Sequence, residues 1–229
     1  MNRFTRLLNR TVQTTVTHRL MRVLSAGLAI GCVLAVASPA GAKSDTNVAL
    51  LPVTTVMADG SEMTARALSP GEVRARGLAP PGADIDVAAP SFVSDGAKMG
   101  KPIQRPKKAG ASVQSTVCWN LSYRFGSNPP GTYTDLYTMH EVFYCATNTW
   151  ISSTSKSCWQ FDGGYPTYEV LGCSQSEAYG VGWSQWHVRT VGNVCWNWIP
   201  GYGCLSNTVQ VRKLGYNGFG QYWIIESIG

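Results

Sequence analysis

An all-β fold is predicted, an antiparallel β-sandwich or small barrel held by disulfides, and three observations lead to it. All eight tryptophans and all ten tyrosines lie between Cys118 and Trp223, and these residue types favour strands and supply large buried areas. Six of the seven cysteines fall in the same stretch. Apolar residues there recur with period two, and no segment sustains the 3.6-residue period of a helix.

The chain divides into three parts before any strand is assigned. Residues 1–42 read as an export signal: the apolar run VLSAGLAIGCVLAVASPAGA follows Met21-Arg22 and ends in Ala40-Gly41-Ala42, a small-residue cleavage pattern. Translation from Met21 stays open as an alternative start. Gly27, Gly31 and Pro39 argue against an uncleaved anchor, so no membrane span is expected in the mature chain. Residues 43–111 are rich in Ala, Gly, Pro and charge, with Phe92 the one aromatic. They are expected to form a disordered spacer or propeptide, because so little apolar surface cannot offset the entropy of ordering. Within them, SPGEVRARG carries a short helix start, with Ser69 as N-cap and Glu72 three residues on. Lys107 and Lys108 offer a protease site at the end of the segment.

Residues 112–229 are the β domain. In WNLSYRF, Trp119, Leu121, Tyr123 and Phe125 share one face, opposite Asn120, Ser122 and Arg124. WSQWHVRTV places Trp186, Val188 and Thr190 opposite Gln185, His187 and Arg189, and TVQVRK opposes Val209 and Val211 to Thr208, Gln210 and Arg212. The centre of QYWIIESI is apolar on both faces and suits an interior strand. Turn clusters such as GSNPPG, DGGYP, IPGYG and GYNGFG separate these runs.

The cysteine count agrees with export. Cys32 leaves with the signal, and Cys118, Cys145, Cys158, Cys173, Cys195 and Cys204 remain as an even set, which in an exported chain reads as structural disulfides. Six cysteines allow 15 connectivities. Pairing in sequence order is preferred, above all Cys195–Cys204 around the Pro-Gly turn of WNWIPGYG.

Charge narrows the partners. The chain carries +6 overall, but from Gly110 onward five basic residues face six acidic ones, a net of −1. No nucleic-acid partner is expected from that balance. Only His140 and His187 remain in the mature chain, and without paired cysteine spacings no metal or cofactor is expected. His140-Glu141 lacks the second histidine of a metalloprotease helix and reads as structural. No G-x-S-x-G elbow or phosphate loop occurs.

Three function classes stay open. The first is a secreted binding or interaction module whose ligand is an extracellular polysaccharide, of the cell wall or environment, or a protein. Its candidate ligand-binding residues are Trp198, Tyr202, Tyr216 and Phe219, rings in glycine-rich or bridged loops. The second is a secreted antagonist, a protease inhibitor or toxin acting through a rigid disulfide-held loop. The third is a small hydrolase or ribonuclease that would use His187, Arg189 and Glu141 for acid, base and phosphate-stabilising roles.

Overall fold

The computed structural model describes residues 50–57, 60–106, 115–126, 136–164 and 166–228. The signal, Cys32, the Met21 start and the Lys107–Lys108 site lie outside the described residues. Two antiparallel sheets carry the fold. The first runs, in spatial order, β1 (Val53–Val56), β2 (Glu62–Ala67), β5 (Thr116–Gly126), β6 (Tyr137–Thr147) and β7 (Trp150–Phe161), with β3 (Ile85–Asp86) parallel to the start of β5. The second runs β4 (Ser91–Phe92), β13 (Gln221–Ile228), β12 (Asn207–Asn217), β9 (Gln185–Cys195) and β8 (Glu169–Tyr179), β4 being parallel to β13. A separate ribbon joins β10 (Trp198–Ile199) to β11 (Gly203–Cys204).

Alternation explains why the sheets face each other. Trp119, Leu121, Tyr123 and Phe125 of β5, Val142 and Tyr144 of β6, Trp186 and Val188 of β9, and Leu214 and Tyr216 of β12 are buried in one cluster. Tyr144 stands at its centre, with ring centroids 5.1 Å from Trp119, 5.3 Å from Tyr216 and 6.2 Å from Trp186. At one margin the sheets are fastened together. Cys158 of β7 is bridged to Cys173 of β8, and Lys156 pairs with Glu177 at 2.9 Å along the same two strands.

Strand β12 departs from the expected parity. Gln210 and Arg212 are buried and so is Val211, whereas Val209 is exposed. Leu214 and Tyr216 enter the core on the same parity as Gln210 and Arg212, so the heavier residues set the register and carry the polar ones inward. Arg212 is accommodated by donating from Nη1 to the Val211 and Ile228 carbonyls, with its guanidinium 5.2 Å from the centre of the Phe125 ring.

The segment read as a spacer is folded in its described part. β2 pairs along β5 from Glu62–Arg124 to Ala67–Trp119 and buries Met63, Ala65 and Ala67 in the main core. Helix α1 (Pro70–Ala75) has the expected capping box, and Arg66 on Glu72 holds that carboxyl down to about 2. Leu68, Val73 and Leu78 cover the Cys118–Cys145 disulfide on the outside of the first sheet. Composition misled here because these few apolar residues need no core of their own; they complete one that β5 and β6 already present.

All described pairing falls within the compact unit Lys43–Gly229. A chain starting at residue 112 would expose the β5 edge and the Cys118–Cys145 cluster. It is expected to lose its near-ultraviolet circular dichroism and cooperative urea transition, whereas the chain starting at Lys43 keeps both.

Candidate functional site

The inward rings leave an outer face on the first sheet whose composition follows from the same parity. Residues opposite in the ladders form rows across the strands. One row runs Glu62, Arg124, Met139 and Trp159, and the next Thr64, Ser122, Glu141 and Ser157. Tyr137 and Phe161 stand opposite each other at the end of β6 and β7. The five strands make this face roughly 19 Å wide.

Its aromatic corner is open to solvent. Trp159 and Phe161 are each 46% exposed. The Tyr137 ring lies 5.4 Å from Phe161 at 31° and 5.7 Å from Trp159 at 66°. Two rings therefore form a shallow floor and the third a side wall. Arg124 places its guanidinium 4.4 Å above Tyr137, a cation–π geometry that holds the long side chain against the face. Next to the rings, Ser157 donates to Glu141 Oε2 at 3.3 Å, in a half-open band that also holds Ser122 and Thr64. Rings adjoined by hydroxyls and a carboxylate suit a ligand that presents apolar ring faces and many hydroxyl groups.

The residues singled out in the sequence are scattered. Tyr216 is fully buried and receives His140. Trp198 is half-buried in the Cys195–Cys204 ribbon, Tyr202 is 85% exposed at its tip, and Phe219 is 65% exposed in the β12–β13 turn. Glu141 lies on the outer face of the first sheet, whereas His187 and Arg189 lie on the outer face of the second. The described geometry therefore does not gather the acid–base trio. Arg189 donates instead to Glu226 at 3.1 Å. His187 borders a cavity of about 300 Å³ with Gln185, Trp223, Gly96, Ala97 and Gly100. Burial, and then Lys213, push His187 down to about 4.

His140 belongs to the interior. Gln175 Nε2 lies 3.3 Å from its Nδ1 and 3.1 Å from Thr190 Oγ1. An amide nitrogen only donates, so Nδ1 accepts, and Nε2–H is given to the Tyr216 hydroxyl at 2.6 Å. Thr190 donates to the same Nδ1 at 2.6 Å. Beside this group Gln160 donates to Thr138, which donates to Gln210. Gly192 makes room, since a Cβ there would stand 2.1 Å from Thr138 Oγ1. Among the described residues no cluster of His, Cys, Asp and Glu could hold a metal ion, and no helix is long and apolar enough to cross a membrane.

The chain matches no protein-family model, no curated protein and no solved structure. The Tyr137–Trp159–Phe161 corner was missed in the sequence, although one signal for it exists. In CWQF, Trp159 and Phe161 share parity opposite Cys158 and Gln160. A bridged Cys158 at the seam between the sheets turns both rings outward.

Burial pushes His140 down to about 3 from the ordinary 6.5. The unfolded chain therefore takes up a proton that the folded chain refuses. Stability is fully present above about pH 6.5 and is lost as pH falls toward 3, at about 1.4 kcal/mol per pH unit. His187 adds a smaller loss of the same sign. Denaturant titrations between pH 7 and 5 should show stability falling with pH in the native chain and falling less in His140→Gln. Equal slopes would contradict the assignment.

Proposed function

We propose that this protein is a secreted binding module that holds an extracellular glycan on the outer face of its first sheet. The observation that carries this reading is the exposed Tyr137–Trp159–Phe161 corner beside Glu141, Ser157 and Ser122. Rings stack on the apolar faces of sugars, and the adjoining polar band offers donors and acceptors to their hydroxyls. The platform is stiff because each ring springs from a strand paired along its length, so little ordering entropy is spent on binding. The compact unit Lys43–Gly229 carries 14 basic and 13 acidic residues, a net of +1, a balance that favours a neutral polymer over a strongly charged one. Three disulfides agree with an extracellular setting, and the export signal read in residues 1–42 supplies the route there.

Binding to soluble polysaccharides should be measured by affinity electrophoresis or calorimetry on the Lys43–Gly229 chain. Trp159→Ala and Phe161→Ala are each expected to weaken the best ligand by about tenfold or more, with little change in melting temperature because both side chains are half in water. Retention of full affinity by the double variant, or absence of binding across β-glucan, chitin and xylan, would remove the proposal.

A further inference from the structure

The ribbon closed by Cys195–Cys204 forms a ladder of its own and carries a surface of a different kind. No charged side chain occurs from Thr190 through Val211. The nearest charge along the strand pairing, Glu169, sits opposite Cys195 at the base of the ribbon. Its tip presents Ile199 at 41%, Tyr202 at 85% and Leu205 at 65% exposure, around the turn Pro200-Gly201.

Much of the ribbon's backbone is already paired. Trp198 and Ile199 ladder with Cys204 and Gly203. Trp196 N–H donates to the Ser206 carbonyl, Leu205 N–H to Asn197, and Tyr202 N–H to Ile199. The Trp196 indole N–H is taken by Thr208. Main-chain groups that bring their own partners lower the cost of entering the margin of a bilayer, whose acyl side supplies none. Tyrosine and tryptophan prefer that margin, where an apolar ring body and a polar tip are both accommodated. The disulfide keeps the tip ordered before contact, so binding does not have to order it.

We propose that the Ile199–Leu205 tip inserts into the interface of an electrically neutral phospholipid surface. A charge-free tip offers no steering to an anionic membrane or to a charged protein groove, and so the lipid is taken to be zwitterionic. This surface is distinct from the glycan face, and neither reading depends on the other.

The test is flotation of the oxidised Lys43–Gly229 chain with phosphatidylcholine vesicles. The chain should float with the lipid, and the bound fraction should stay constant when salt is raised about tenfold, since apolar insertion is not screened. Tyr202→Ser with Leu205→Ser should lower the partition coefficient by roughly tenfold or more, while Trp159→Ala leaves it unchanged. Both ribbon residues are exposed, so the double variant should keep its melting temperature. The proposal is overturned if the native chain stays with the soluble fraction, if the double variant floats as well, or if only anionic vesicles bind and salt releases them.

Discussion

The packing of Tyr144 against Trp119, Trp186 and Tyr216 is the constraint from which the rest of this protein follows. Those four rings come from four strands of two sheets, and their joint burial sets which parity of each strand turns inward. A slip of one residue in any strand would send its rings into water and its polar residues into the core. The outer faces are therefore consequences. Once Trp119 and Tyr144 point in, Ser122 and Glu141 must point out.

The same parity has a cost on β12. Leu214 and Tyr216 bring Gln210 and Arg212 inside, where they join Thr138, Gln160, His140 and Thr190 in a polar strip between the sheets. Among the described residues, Gln160 Oε1, Gln210 Nε2 and the Tyr144 hydroxyl are buried in this region without partners. Each such atom costs about 1–3 kcal/mol. Disulfides at Cys158–Cys173 and Cys118–Cys145 offset part of that by restricting the unfolded chain.

Period-two alternation made β5 and β9 legible from residues alone, because their inward residues are aromatic or branched and their outward ones polar. It failed on β12, where valines occupy the outer parity and the decisive rings lie several residues further on. In the sequence Tyr216 and Tyr202 look alike, as rings in or near glycine-rich turns. One lies in a ladder with Trp186 and Tyr222 and the other at a ribbon tip, a difference of pairing partner that local composition does not encode. Residues 62–67 were invisible as structure for the complementary reason, although the helix start at Ser69 was legible: Met63, Ala65 and Ala67 are too small a set to imply a core, yet sufficient to finish one. The candidate site depends on a similar non-local fact, the position of Cys158 at the seam.

On the proposed function, the inner rings hold the sheets together while Tyr137, Trp159 and Phe161 remain for a ligand. Indole N–H resonances report on this directly, since the chain has eight tryptophans and those of Trp119 and Trp186 are held by Ala88 O and Glu177 Oε2. In a nuclear magnetic resonance titration with β-glucan, chitin and xylan oligosaccharides, the account predicts that the Trp159 indole shifts while those of Trp119 and Trp186 stay fixed. Shifts at Trp198 with Trp159 unmoved, or no shift at any indole, would contradict it.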